Sequence, residues 1–247
     1  MNIITKTCLR LLAAASLAAV GSGLAHAQEP KTDSGIALKL TPSYYSTSDG
    51  THAVDINLRG VTGPHTAWVG LYRDSLSFQQ ARAGYEYRSD FDWLRTVLSL
   101  QVAQGGFVGG SVTAEVGREN FAIVGWGRTN LRNYYNLNFD PNDAITLGFG
   151  SRALPKTEWS VFHIWDDRLG THQHVTHAVV RYKPSDAERW TVDLSGKHGT
   201  SSSGAYVSGH ALSITYDYGA YFGRLARDQY VNFSDETQSR VSLGMRF

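Results

Sequence analysis

Apolar and polar residues alternate with period two along most of the chain, the spacing at which successive side chains of a β-strand reach opposite faces. Val54, Ile56 and Leu58 alternate with Asp55, Asn57 and Arg59, and Ile145, Leu147 and Phe149 with Thr146, Gly148 and Gly150. Trp190, Val192 and Leu194 alternate with Thr191, Asp193, Ser195 and Lys197. Together with the turn chemistry between such runs, the pattern predicts fourteen strands. They lie near 35–46, 51–61, 65–74, 79–89, 92–103, 106–117, 119–130, 143–153, 156–166, 171–183, 187–198, 205–217, 219–230 and 236–247. The runs at 65–74 and 219–230 leave their faces undecided.

The connections carry a second regularity. Alternate ones are tight turns: Thr62-Gly63-Pro64, Asp90-Phe91, Gly117-Arg118, Leu154-Pro155, Pro184-Ser185-Asp186 and Tyr218-Gly219. The others include the longest, Leu131 to Asn142 and Gly199 to Gly204. Short turns at one end and longer loops at the other imply an even number of strands, with twelve as the alternative count. No internal repeat or domain linker interrupts the series.

The last nine residues read S-R-V-S-L-G-M-R-F, with Val241, Leu243, Met245 and Phe247 on one face and Arg240, Ser242, Gly244 and Arg246 on the other. This resembles the closing strand of a bacterial outer-membrane β-barrel, whose assembly machinery reads a terminal aromatic after alternating apolar residues. The opposite end resembles a secretory signal peptide. Lys6 and Arg10 supply a basic start, Leu11 to Val20 an apolar centre, and Ala25-His26-Ala27 a cleavage site before Gln28. Residues 1–27 are therefore read as a signal peptide and 28–247 as one outer-membrane barrel.

A water-soluble sandwich or lipocalin-like barrel would show the same alternation with its faces exchanged. Two features favour the membrane reading. The polar faces carry too many charges for one buried core, and Tyr85, Tyr87, Tyr182, Tyr216 and Tyr218 sit where interfacial girdle aromatics belong. The mean hydropathy of −0.27 fits, since only alternate residues of a barrel strand face lipid.

The composition narrows the chemistry. The single cysteine, Cys8, lies in the signal segment, which leaves the mature chain without disulfides, thiolate nucleophiles or cysteine-bound metals. Without Lys6 and Arg10 the mature chain has 21 basic and 22 acidic residues and no basic run, so nucleic acid is not an expected partner. The polar faces are less balanced. They carry Lys39, Arg59, Arg82, Arg88, Arg95, Arg152, Arg181, Lys197, Arg224, Arg240 and Arg246 against Asp55, Glu86, Glu115 and Asp193. An excess of one sign within a low-dielectric wall concentrates counter-ions, and rings of Arg and Lys line anion pores. Ladders of Arg and carboxylate that merely fill the interior are the competing account.

This combination of signal peptide, arginine-rich interior and terminal Phe is similar to small monomeric porins that pass acidic oligosaccharides. The resemblance covers the general plan of 28–247 and implies a passive outer-membrane channel for small, preferably anionic solutes, without cofactor or chemical step. Its partners would be outer-membrane lipids, lipopolysaccharide and the barrel assembly machinery. Two other classes stand beside it. One is a lipid-modifying hydrolase of lipid A deacylase or phospholipase type. Such enzymes set His and Ser two apart on one strand, and here only the reversed Ser208-Gly209-His210 occurs. The other is a structural or adhesive barrel acting through Leu131 to Asn142. In T-H-Q-H-V-T-H, His172 and His174 share a face at metal-ligand spacing, with His163 on the preceding strand. Polar residues at the rim are the plainer account of them. Asn136 to Asp143 lacks the ligand spacing of a calcium loop.

Overall fold

All fourteen strands form. In the computed structural model, which describes residues 35–135, 137 and 140–247, they close into one antiparallel barrel with each strand beside its chain neighbours and β1 beside β14. The strands are β1 (Ala37–Thr47), β2 (His52–Thr62), β3 (His65–Asp74), β4 (Gln79–Phe91), β5 (Leu94–Ala103), β6 (Phe107–Gly117) and β7 (Asn120–Thr129). The second half comprises β8 (Ala144–Ser151), β9 (Thr157–Asp166), β10 (His174–Tyr182), β11 (Glu188–Thr200), β12 (Tyr206–Tyr218), β13 (Tyr221–Asp228) and β14 (Gln238–Arg246). Residues 1–27, read from sequence as a signal peptide, lie outside the described residues.

Closure depends on the first and last strands. Leu38 N–H donates to the Phe247 carbonyl at 2.8 Å and Phe247 N–H donates back at 2.9 Å. Lys39 stands opposite Arg246 and Tyr44 opposite Val241. A sheet closed this way has no edge, which hydrocarbon requires because it cannot hydrate a free N–H or C=O.

Burial decides between the two all-β readings. Leu100, Leu225 and Leu243 are 63, 62 and 63 % exposed, whereas Asp55, Thr66 and Glu115 are 3, 2 and 2 % exposed. Apolar side chains point outward and polar ones inward, the reverse of a soluble barrel and the arrangement lipid demands. Tyr85, Tyr87, Tyr182 and Tyr218 are outward and exposed near the end where β1 begins and β14 ends. The two undecided strands resolve the same way. Thr66 and Tyr72 of β3 and Phe222 and Asp228 of β13 are buried, while Val69, Leu71 and Leu225 are exposed.

Several boundaries move for local reasons. β4 continues through Asp90 and Phe91, which pair with Arg95 and Leu94, so the tight turn is Asp92-Trp93. β10 starts at His174 because the Asp166 carboxylate accepts the N–H groups of Arg168 and Leu169, each at 2.9 Å, holding that connection as a turn. β13 stops at Asp228, just before Tyr230 adopts φ 52°.

One glycine is required by close approach. A Cβ on Gly244 would lie inside the Phe222 ring of the neighbouring strand, and that ring in turn carries Lys39 Nζ over its face at 3.9 Å. Gly244→Val should therefore destabilise the closing strand by about 1–3 kcal/mol, the usual cost of overpacking. A lower urea midpoint of the refolded barrel, partly restored by adding Phe222→Ala, is the expected result. An unchanged midpoint would show that the ring yields freely.

Candidate functional site

The interior is built from the inward faces of the strands and from one connection. The segment between β7 and β8 turns into the barrel instead of projecting from it. Leu131 takes φ 59°, directing the chain inward, and partners from strands around the wall then hold it. Tyr134 stacks on Phe107 of β6, with centroids 4.3 Å apart, and its hydroxyl donates to Gln101 Oε1 of β5 at 3.1 Å. Tyr135 stacks on Tyr72 of β3 at 4.0 Å, while its N–H donates to Gln80 Oε1 at 2.9 Å. Gln238 Nε2 of β14 donates to the Tyr135 hydroxyl at 3.1 Å, and Arg240 to the Leu137 carbonyl at 3.0 Å.

The far end of the segment is held by charge. His177 of β10 bridges two carboxylates, with Nε2 3.0 Å from Asp140 Oδ1 and Nδ1 2.9 Å from Asp193 Oδ1. Its ring stacks on Phe162 at 4.8 Å. Asp143 accepts the Thr129 N–H and hydroxyl at 3.1 and 2.6 Å, and Arg168 at 2.8 Å. Asp140 and Asp143 are thus engaged in tethering. Tyr134, Tyr135, Leu137 and Asp140 reach β5, β3, β14 and β10, on separated parts of the inner wall.

The eleven basic residues expected inside all lie on inward-facing positions of their strands or strand ends, but most are not free. Arg82 pairs with Asp55, both deeply buried. Arg59 and Arg88 share Glu86, and Arg95 meets Asp90 at 3.0 Å. Arg152 bridges Glu115 and Glu158, and Arg181 also reaches Glu158 at 2.8 Å. Arg246 and Arg189 share Asp217, while Lys197 lies 2.5 Å from Asp228. The expectation of four interior acids was too low. Glu158, Asp217 and Asp228 join them from the strands, and Asp140 and Asp143 arrive with the inward segment. Arg189 is a further interior base that the pattern did not flag. Lys39 and Arg224 form no ion pair among the described residues: Lys39 caps the Phe222 ring, and Arg224 donates Nε–H to Thr215 Oγ1 at 2.9 Å.

The bases are unevenly distributed. Lys39, Arg59, Arg82, Arg224, Arg240 and Arg246 occupy one arc, from β13 through β14 and β1 to β4. Strands β7 to β10 instead line part of the interior with Phe121, Ile123, Phe162, Ile164 and Val179, an apolar wall the alternation did not reveal. Two cavities lie among the described interior side chains. The larger, about 170 Å³, is bordered by Lys39, Arg59, Arg82, Trp68 and Tyr134. The smaller, about 100 Å³, is bordered by Asp140, His177, Asp193 and Lys197. Arg224 and Arg240 border both cavities, so these two guanidinium groups stand at the divide, with Leu137 at their side.

The other candidates fall elsewhere. Ser208 and His210 are exposed on the outward face of β12, and no hydrogen bond links the hydroxyl to the imidazole. His172 lies in the connection before β10 with φ 50°. His174 makes its close contact with His163. The contact of His174 is thus a cross-strand one, and His172, its alternative partner by spacing, is not part of it.

No protein-family model and no curated protein matches the chain. Among solved structures, the Acinetobacter baumannii outer membrane protein Omp33 is similar over 87 % of this chain and all of its own, with a TM-score of 0.52 at 10 % identity. The porins KdgM and NanC each have a TM-score of 0.48 at 8 % identity, covering 85 % of this chain and 99 and 100 % of theirs. The chain has the fold of an outer-membrane porin-like barrel. At such identities the likeness concerns fold alone.

Removing His177 takes away the imidazole that bridges Asp140 and Asp193, and breaking a buried pair costs roughly 3–5 kcal/mol. His177→Ala should release the segment while the barrel stays closed. Trypsin cleavage at Arg132, within the segment, should then run at least tenfold faster in the folded barrel. Equal cleavage rates would show that the stacked tyrosines suffice to hold it.

Proposed function

We propose that the protein is a passive outer-membrane channel for small anionic solutes, with Arg224 and Arg240 setting its charge preference. The observation that carries this reading is the placement of both arginines at the divide between the two interior cavities. A solute moving from one cavity to the other must pass them. Water-excluding walls weaken screening, so charges there act on a solute more strongly than surface charges do. The basic arc around the larger cavity, with Lys39 and Arg224 outside the ion pairs of the described residues, supplies attraction at that point. The inward segment limits the width, which favours small solutes over polymers.

The signal-peptide reading of 1–27 and the outward apolar band support residence in the outer membrane, with lipopolysaccharide and lipids as surroundings and delivery by the barrel assembly machinery. One observation favours a second reading. The described residues of the segment are held on separated parts of the inner wall, as in a non-conducting structural barrel. A lipid hydrolase centred on Ser208 and His210 gains no comparable support.

Planar-bilayer recording separates the two. Under a potassium chloride gradient the wild-type barrel should conduct with a reversal potential favouring chloride. The double substitution Arg224→Glu with Arg240→Glu should lower the chloride-to-potassium permeability ratio at least fivefold. Absence of conductance would support the structural reading, and cation preference in the wild type would overturn the anion channel.

A further inference from the structure

A row of imidazoles crosses the outward face of the barrel, away from the interior. His174 on β10 stands opposite His198 on β11 and Trp165 on β9, while His163 on β9 stands opposite Thr176. The row lies at the end where the longer connections lie, within three residues of the strand ends. His163 Nε2 is 3.0 Å from His174 Nδ1, His163 Nδ1 is 2.8 Å from Thr176 Oγ1, and the His198 ring stacks on His174 with centroids 4.9 Å apart at 12°. Neither the channel reading nor barrel closure uses this cluster.

We infer that His163 and His174 chelate a divalent late transition-metal ion, of the Cu²⁺ or Zn²⁺ class, on the outer surface of the barrel. Two imidazole nitrogens bound to one such ion at 2.0–2.1 Å, at angles between square and tetrahedral, lie about 2.9–3.4 Å apart. The observed 3.0 Å falls in that range without backbone movement. The proton count also closes. In the metal-free pair one of the facing nitrogens carries the hydrogen. On binding, both present lone pairs to the ion and hold their protons on the far nitrogens, with no net release. For His163 the far nitrogen is Nδ1, which then donates to Thr176 Oγ1, the outer partner that fixes the metal-binding tautomer. No three ligand side chains converge among the described residues, so water completes the coordination. His198 can join after a side-chain rotation. Neutral imidazole favours Cu²⁺ over Zn²⁺ in the usual order of affinities.

The test uses the complete mature barrel in detergent, without a polyhistidine tag, titrated with CuCl₂ and followed by calorimetry and electron paramagnetic resonance. One ion per barrel with nitrogen hyperfine structure is expected. His163→Ala and His174→Ala should each weaken binding at least tenfold, and Thr176→Val about tenfold, by loss of the outer partner. His210→Ala, an outward histidine outside the pair, should leave binding unchanged. Cold-gel mobility confirms that each variant is folded. No Cu²⁺ binding by the wild type, or equal binding by the folded His163→Ala and His174→Ala variants, would overturn the inference.

Discussion

Backbone hydrogen bonding in a medium without water is the constraint on which the rest depends. Every strand of a membrane-spanning sheet must find a partner on both sides, and the chain meets that demand by joining β1 to β14 through Leu38 and Phe247. Closure then dictates the side chains. Once the sheet is a tube, one face of each strand meets lipid and the other is enclosed, so alternation in sequence becomes inside and outside in space. Phe222, Gly244 and Lys39 show how tightly the closing strands are fitted. A glycine on one strand admits the ring of its neighbour, and that ring receives an ammonium group on its face.

Enclosure makes the interior charges interdependent. An isolated ion is costly away from water, and pairing recovers that cost only where geometry is good. Hence the ladders Arg82–Asp55, Arg59–Glu86–Arg88 and Arg152–Glu158–Arg181 run along the wall. They brace neighbouring strands as much as they create a potential. A count of charges on polar faces thus overstates the field that a solute meets.

The strands, the barrel and the facing of the eleven bases were legible because they depend on a local period-two pattern. What the sequence concealed depends on which residues meet across the tube. Asp217 and Asp228 lie near the ends of strands whose limits or faces were uncertain, and their partners Arg246 and Lys197 are 29 and 31 positions away in the chain. The apolar wall of Phe121, Ile123, Phe162 and Ile164 was invisible because in N-F-A-I-V-G-W-G both faces of the strand are apolar or small. The inward course of the segment after β7 was undetermined for a similar reason. Asn, Asp and Tyr suit an exposed loop equally well, and only Gln80, Gln101 and Gln238 on the facing walls distinguish the two outcomes.

Those glutamines clarify which interior polar groups bear on permeation. A chain segment drawn into the tube brings its own N–H and C=O groups, and each needs a partner. Gln80 meets the Tyr135 N–H, Arg240 meets the Leu137 carbonyl, and Gln101 and Gln238 hold the two tyrosine hydroxyls. Much of the inner wall is therefore polar because the segment is there. Lys39 and Arg224 are different: among the described residues neither forms an ion pair, yet both border the larger cavity. Lys39 meets a ring face and Arg224 a hydroxyl instead of a carboxylate, so their charges add to the interior potential where the ladders cancel theirs.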